Sequence, residues 1–413
     1  MRLAVRKRYY GWYLVSALGV TTIISYGISQ YLFGVLVVPM ENDLHWSRGE
    51  LSGAFSAALI VAALLGLAVG ALVDRHGGRW PMSVGSLLGG ITLLLLSQVT
   101  QLWQFYVLWA GCLGVAMALT FYSVSFVVVA NWFQRRRGQA LALLTTVGGL
   151  SSPIYIPLAG YLVARLGWRG AVMVLGVSAL LIALPLHLIV VRRRPEDLGL
   201  RPDGEETAGA SDADLSGHRL GQAVRRLPFW TLMLATALSS AAYGVVIAHV
   251  VAYLIGAGYD PVLAAGILGL TGLVSLPGRF VFNFVSDRFG PQPLLALCLG
   301  MQALSMLVLL AAASRVSLGA FVVVYGSAFG AISPLRASVL ADHFGRLSYG
   351  SITAVQGLPS GLLAAAAPFA AGLLFDRFGN YVVAWSLTAL AFGLGSLAVW
   401  MTPRADRHLN NVA

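Results

Sequence analysis

A succession of long apolar stretches, separated by short polar segments, is the feature that most constrains this chain. Of its 413 residues, 58% are hydrophobic and 10% are charged, which is far more apolar surface than the core of a water-soluble domain needs. A helix that crosses a lipid bilayer requires about 20 such residues. The pattern therefore predicts an all-α membrane protein.

Twelve transmembrane helices fit these stretches. They divide the chain into an N-terminal six-helix half at 1–190, a cytoplasmic linker at 191–227 that is rich in Gly, Pro and acids, and a C-terminal six-helix half at 228–413. The predicted spans are 11–36, 48–73, 79–99, 103–131, 138–163, 169–190, 228–255, 262–286, 291–312, 316–339, 349–375 and 380–401.

An internal repeat relates the two halves. The run Asp74-Arg75 at the end of one apolar stretch recurs as Asp287-Arg288 at the end of another, half a chain later. A second pair, Gly160-Tyr-Leu-Val-Ala-Arg165-Leu-Gly167 and Gly372-Leu-Leu-Phe-Asp376-Arg377-Phe-Gly379, has nearly the same offset. Repeats at this spacing predict two pseudo-symmetric halves that enclose a path, as in many secondary transporters.

The positive charges are distributed unevenly across the predicted topology. Twenty of the 27 Lys and Arg residues fall on the side of the two termini and the linker, and five, including Arg48, fall on the other side. By the positive-inside rule, the arginine-rich side is cytoplasmic, and so are both termini. The net charge of +11 thus reflects membrane orientation and not binding to nucleic acid.

The repeated Asp-Arg-x-Gly loops have a candidate mechanical role. Asp74 lies where a helix ends, and Arg75 and Arg79 are close enough in sequence to pair with it, as Arg288 is to Asp287. Such a charge cluster can latch two helices in one state of a transport cycle. The alternative is a solvated loop that only sets topology.

Arg279 is the most informative ionisable residue. It lies eight residues before Asp287, about 12 Å from the cytoplasmic end of its helix, whereas all sixteen acids fall at span ends, in loops or in the linker. A guanidinium at this depth needs a counter-anion, which we expect to be a substrate carboxylate. The alternative is a structural arginine that donates to carbonyls freed at Pro277 and Gly278.

Other polar side chains at middle depth are candidates to complete a site between the halves. Tyr31 and Tyr122 rank first because tyrosine offers both an apolar wall and a hydroxyl. His249 is a candidate proton relay, with a neutral core histidine as the alternative. The remaining candidates for substrate contact are Tyr26, Gln30, Ser152, Asn283 and Gln356.

The Asp-Arg-x-Gly loops resemble those of the major facilitator superfamily (MFS), and the resemblance covers essentially the whole chain. Four further motifs are similar to the monocarboxylate transporter and oxalate/formate antiporter group within it. They are Tyr10-Gly-Trp-Tyr13, Asn131-Trp-Phe-Gln-Arg-Arg-Arg-Gly-Gln-Ala140, Arg194-Pro-Glu-Asp-Leu-Gly199 and Gly278-Arg279.

The resemblance implies alternating-access transport of small carboxylates, often with a proton, and it carries the substrate-binding arginine onto Arg279 and a tyrosine onto Tyr122. Two departures matter. The only lysine is Lys7, so the second cation of the oxalate/formate antiporters is missing. The positions before Arg279 lack the aspartate that proton symporters of the family often keep, which puts proton coupling in question.

We therefore expect a monomeric carrier of a small organic anion, a monocarboxylate rather than a dicarboxylate, in the plasma membrane, such as a bacterial inner membrane. Its other partners would be the lipid bilayer and, if symport operates, H⁺. A dicarboxylate antiporter and a multidrug or hydrophobic-cation exporter are the alternatives, although an exporter usually needs an acid inside the membrane. No motif predicts an enzyme, a sensor, a cofactor or a metal site.

Overall fold

The computed structural model describes residues 9–133, 136–204, 217–310, 314–345 and 348–403. Eleven helical stretches in these ranges are long and apolar enough to span a membrane. The longest, Gln139–Ile189, has 51 residues, or about 76 Å at 1.5 Å per residue. Gly167 interrupts it with a non-helical φ of 69° and ψ of 170°. Divided there, it supplies two spans, and the twelve predicted helices are confirmed.

The helices are labelled in chain order. Those of the first half are α1 Tyr10–Leu44, α2 Arg48–His76, α3 Arg79–Leu96, α4 Leu102–Trp132, α5 at 139–166 and α6 at 168–189. Those of the second half are α7 Leu227–Gly256, α8 Pro261–Phe289, α9 Pro291–Leu310, α10 Arg315–Phe344, α11 Tyr349–Phe378 and α12 Val382–Met401. The described part of the linker contains three short helices, at Pro195–Leu198, Pro202–Gly204 and Leu220–Ala223.

Helix packing follows the same scheme in both halves. In the first half, α1 packs on α5, and α3 packs on α4 and α6. In the second half, α7 packs on α11, and α9 packs on α10 and α12. Each pair recurs six helices later, so the sequence repeat is also a repeat of packing.

Glycines allow particular helices to meet backbone to backbone. A Cβ at Gly326 of α10 would lie 2.6 Å from the carbonyl oxygen of Thr271 of α8, and one at Gly114 of α4 would lie 2.9 Å from that of Ala58 of α2. Gly114 and Gly326 have the same offset in the sequence as Gly160 and Gly372 of the repeat. Small residues at such crossings are typical of membrane helices, whose association depends on close packing.

Close contacts divide the chain into two compact units. The first comprises Met1–Pro39 and Ala57–Ala210, and the second comprises Met40–Ser56 and Ser211–Ala413. The segment 40–56, which we call the hairpin tip, contains the end of α1, the turn and the start of α2. It therefore packs with the second unit, although the chain on both of its sides belongs to the first.

Part of the predicted linker is folded onto the first unit. Asp203 is buried, with a left-handed φ of 59°, and its Oδ1 accepts a hydrogen bond from the backbone N–H of Arg136 at 3.1 Å. Asp tolerates this backbone conformation better than most residues and is a good acceptor at a helix start. The residues at 205–216 lie outside the described ranges.

The close approach of α8 and α10 can be tested at Gly278, where a Cβ would lie 2.6 Å from Cα of Ser327. We expect Gly278→Ala to lower the free energy of unfolding by about 1–3 kcal/mol, because a backbone cannot yield as a side chain does. Thermal unfolding of the purified protein measures this. Gly266→Ala, on the same helix but facing open space, is the matched control and should be neutral or stabilising. Equal midpoints for the two variants would contradict the packing described.

Candidate functional site

Arg279 lies in α8, ten residues before its last residue, Phe289. Its side chain is half-buried, and Nε donates a hydrogen bond to the carbonyl oxygen of Gly330 in α10 at 3.3 Å. This carbonyl belongs to the neighbouring helix and not to Pro277 or Gly278, which the structural alternative would have used. The bond holds the Nε end of the guanidinium at the crossing of α8 and α10.

The crossing is shaped for this contact. A Cβ at Gly330 would overlap the carbonyl group of Ser275 in α8, and one at Gly278 would overlap the backbone of Ser327. Both helices are therefore as close as their backbones allow, and a side chain that starts at residue 279 needs to extend only a short way to reach α10. A guanidinium has five N–H donors in a planar fork, of which the Gly330 carbonyl takes one.

In the first unit, the structure brings Tyr26 and Tyr122 together. Their ring centroids are 5.1 Å apart, and Tyr26 also stacks on Phe121 at 4.1 Å. Phe121 interrupts α4 with extended backbone angles (φ −73°, ψ 173°), so Tyr122 begins a new helical segment. Both tyrosines are half-buried. They form one aromatic surface built from α1 and α4.

Gln30 and Tyr31 lie on α1 in a π-helical turn, Gly27–Tyr31. The turn lies against α5, because a Cβ at Gly27 would overlap the ring of Tyr155. Ser152 is buried on α5, next to Ser151, whose hydroxyl donates to the Ile23 carbonyl at 2.7 Å. The predicted residues of the first half therefore come from α1, α4 and α5. π-turns of this kind occur often at functional sites.

The other predicted residues of the second half point to different helices. Gln356 of α11 is buried, and its Nε2 donates to the Phe229 carbonyl at the start of α7 at 3.0 Å. Arg279 is directed instead to α10. The side chain of Asn283 lies outside the described part of the structure. The substrate-contact roles of Gln356 and Asn283 stay predictions.

His249 is fully buried in α7 and is held at both ring nitrogens. Nε2 lies 2.9 Å from the Pro368 carbonyl oxygen, and Nδ1 lies 3.0 Å from the hydroxyl of Tyr381. A carbonyl can only accept, so Nε2 carries a proton, and in the neutral ring Nδ1 accepts from the Tyr381 hydroxyl. Burial raises the pKa of Tyr381, which precedes α12, to about 12. The hydroxyl therefore keeps its proton near neutral pH.

A cluster that the sequence analysis did not anticipate surrounds Arg48 in the second unit. The Arg48 side chain is 9% exposed and pairs through Nε with Glu41 at 2.9 Å. Its Nη1 donates to the Tyr381 hydroxyl at 3.1 Å, and its guanidinium lies 3.8 Å from the ring centroid of Phe375. Asp376 accepts from the start of α2. The one sequence signal was the repeat, in which Asp376 takes the place of an alanine.

The predicted cytoplasmic latch is only partly described. The side chains of Asp74, Arg75 and Asp287 lie outside the described part, and their pairing stays a prediction. Arg79 lies 5.7 Å from the Trp80 ring centroid, and Arg288 lies 5.6 Å from that of Phe289. Across the described residues, no three His, Cys, Asp or Glu side chains are placed to hold a metal ion.

Comparison with known proteins gives one family. The sequence profile of the Major Facilitator Superfamily matches residues 18–361. Monocarboxylate transporter 13 of Bos taurus is 29% identical over 399 residues, which cover 95% of this chain and 89% of the relative. MFS transporter asaE of Aspergillus flavus is 26% identical and matches 80% of this chain and 72% of its own.

The fold is also that of solved transporters. A bacterial homologue of the human lysosomal transporter Spinster, in an inward-facing and occupied conformation, has a TM-score of 0.72 at 15% identity, covering 96% of this chain and 97% of that one. The nucleoside transporter NupG has the same TM-score, 0.72, at 12% identity, covering 97% of this chain and all of that one. At these identities the likeness concerns the fold alone.

The position of Tyr122 can be tested through Gly148 of α5. A Cβ at Gly148 would overlap the Tyr122 hydroxyl and lie 2.9 Å from Cγ2 of Thr22. We expect Gly148→Ala to lower the thermal unfolding midpoint, and Tyr122→Phe, which removes the overlapping atom, to restore much of the loss. Interaction free energies between such neighbours are about 0.5–3 kcal/mol.

Gly111→Ala, at an open position of α4, is the matched control and should couple to Tyr122→Phe by less than about 0.5 kcal/mol. Additive effects of Gly148→Ala and Tyr122→Phe would show that the hydroxyl lies elsewhere.

Proposed function

The chain belongs to the Major Facilitator Superfamily, and from this premise we propose that it is a secondary active transporter that carries a small organic monoanion by alternating access. It is a multi-pass membrane transporter and not an enzyme. The finer proposal, a monocarboxylate bound at Arg279, is supported by one observation above all. This is a half-buried guanidinium in the middle of α8, held at Nε by the Gly330 carbonyl.

Charge and geometry favour an anionic cargo. A charged group inside the bilayer region is costly unless it faces water or meets a counter-charge. In the sequence the acids fall at the ends of the predicted spans, in loops or in the linker, and a substrate carboxylate is the counter-charge that we propose. Two parallel N–H···O bonds from one arginine match one carboxylate. The relatives named as monocarboxylate transporters support the same class.

The aromatic residues of the first unit suit an organic acid. Tyr26 and Tyr122 offer ring faces for an apolar tail and hydroxyls for a polar group. The only lysine is Lys7, near the N-terminus. The predicted spans therefore contain no lysine that could bind the second carboxylate of a dicarboxylate. Arg336, six residues before Asp342, is assigned to the inner membrane face, where long cationic side chains reach water.

The distribution of basic residues supports an orientation in the membrane. With twenty basic residues on one side, both termini are assigned to the cytoplasm and the protein to a plasma membrane, such as a bacterial inner membrane. We assign a monomer as the working unit.

Proton symport through His249 is the finer alternative for coupling, and it competes with a purely structural histidine that joins α7 to Pro368 and Tyr381.

The role of Arg279 is tested in proteoliposomes. A panel of lactate, pyruvate, oxalate, aromatic acids and cationic dyes first identifies the ligand that raises the unfolding midpoint of the purified protein. We expect a monocarboxylate to do so. Arg279→Ala should abolish counterflow of that labelled acid. Arg279→Lys keeps the charge but loses the planar fork, and it should weaken apparent affinity about 10- to 100-fold, as expected for the loss of one charged hydrogen bond.

The matched control is Arg336→Lys, which alters another half-buried arginine of the same unit. It should leave counterflow within about twofold of wild type, because a lysine reaches the membrane face equally well. Undiminished counterflow by Arg279→Ala would remove Arg279 from the binding site. Stabilisation by cationic dyes alone would favour the exporter.

Proton coupling has a separate test. If His249 carries the coupled proton, an inward proton gradient should drive accumulation of the acid by wild type, and His249→Gln should abolish it. Counterflow, which needs no net proton movement, should continue in the variant. His187→Gln is the matched control, because His187 of α6 is also fully buried and is bonded to Ser86 at 2.8 Å. Gradient-driven accumulation by His249→Gln would make His249 structural.

A further inference from the structure

The hairpin tip, residues 40–56, is held in the second unit by contacts far apart in the sequence. We propose that Asp376 and Arg48 form a releasable latch on this tip, and that the latch opens and closes again in each transport cycle. The requirement for repeated opening rests on the proposed function, because alternating access is what would move the tip. The latch itself rests on the geometry around the start of α2.

The first turn of α2 needs an acceptor from elsewhere. A helix leaves its first N–H groups without partners inside the helix. Ser47 and Glu50 form a local capping pair, in which Ser47 N–H donates to Glu50 at 2.8 Å and Glu50 N–H donates to the Ser47 hydroxyl at 3.1 Å. The N–H groups of Arg48 and Gly49 donate to Asp376, at 3.2 and 2.8 Å. One carboxylate thus serves two backbone donors at a positive helix end.

The Arg48 side chain makes the second half of the latch. Glu41 holds its Nε from within the tip, and its guanidinium contacts Tyr381, just before α12, and Phe375, near the end of α11. Arg48 is only 7% exposed as a residue. It is therefore a cation of the tip that is enclosed by the second unit.

The two surfaces are smooth where they meet. A Cβ at Gly372 of α11 would lie 2.7 Å from the Arg48 carbonyl oxygen and 3.0 Å from Cα of Gly49. Ser52, one turn further along α2, is fully buried and lies 3.4 Å from Nε2 of His249. Small residues at 49, 52 and 372 let the start of α2 lie directly against α11.

Exposure makes the contact reversible. The Asp376 side chain is exposed, so water can replace the α2 amides as its partners when the tip leaves. The Arg48 guanidinium exchanges Tyr381 for water in the same movement. In the closed state the two amides are bonded to Asp376 and Arg48 Nη1 to Tyr381. In the open state water would take the places of these partners, and a transport cycle can alternate between the two states.

The test places a reporter under the tip. Ser52→Cys is introduced into the full chain with Cys112→Ser and Cys298→Ala, and the rate of modification by a hydrophilic maleimide is measured on purified protein without substrate. We expect Asp376→Asn, which loses the charge and one acceptor, and Arg48→Gln each to raise the rate at least about fivefold by populating the open state. Gel filtration verifies that each variant is folded.

Arg377→Gln is the matched control, since Arg377 is exposed beside Asp376 and lies over the Phe378 ring. Its rate should stay at that of the reporter protein. Reporter rates unchanged in both Asp376→Asn and Arg48→Gln would overturn the latch. Protein modified at residue 52 cannot close again and should lose counterflow, whereas full counterflow after complete modification would overturn its part in the cycle.

The two proposals fail separately. Maleimide labelling needs no cargo, so accelerated labelling in the latch variants supports the latch even if no monocarboxylate is transported. Loss of counterflow in Arg279→Ala with unchanged labelling in both latch variants supports the cargo and removes the latch.

Discussion

Close approach between helix backbones is the constraint on which the rest of this structure depends. In a bilayer, lipid is as apolar as the helices, so helices associate through contact and polar bonds rather than through burial alone. Glycines at the crossing of α8 and α10 bring the two backbones within touching distance, and Arg279 reaches the Gly330 carbonyl because of it. A wider crossing would leave Nε of Arg279 too far from the Gly330 carbonyl for this hydrogen bond.

The two halves share a frame but not a chemistry. Gly114 and Gly326 occupy equivalent places in the repeat and make equivalent helix contacts. The offset that relates Asp74 to Asp287 also relates Gly66 to Arg279, and Gly66 faces open space. Asp376 likewise replaces an alanine. The two halves thus share their helix crossings but differ at Arg279 and Asp376, two charged residues that only the second half carries at these repeat positions.

Much of the frame could be predicted because bilayer thickness imposes it. The apolar runs and the repeat were enough for twelve helices in two halves, with most boundaries within a few residues. Local departures could not be predicted: the π-turn at Gly27–Tyr31 and the extended residue Phe121 depend on packing against α5 and α1. The Arg48 cluster was missed because Arg48 lies near one end of the sequence and its partners Asp376 and Tyr381 lie near the other, and no periodicity reveals such a pairing.

Part of the latch does not depend on which side chains the tip carries. Two of the donors that face Asp376 are main-chain amides of residues 48 and 49, and every amino acid except proline supplies the same amide. Side-chain substitutions in the tip therefore leave these two hydrogen bonds intact. Variation in the strength of the latch must arise mainly at position 376 or in the Arg48 side chain. Among related carriers, the rate at which the latch opens would then depend on very few sequence positions.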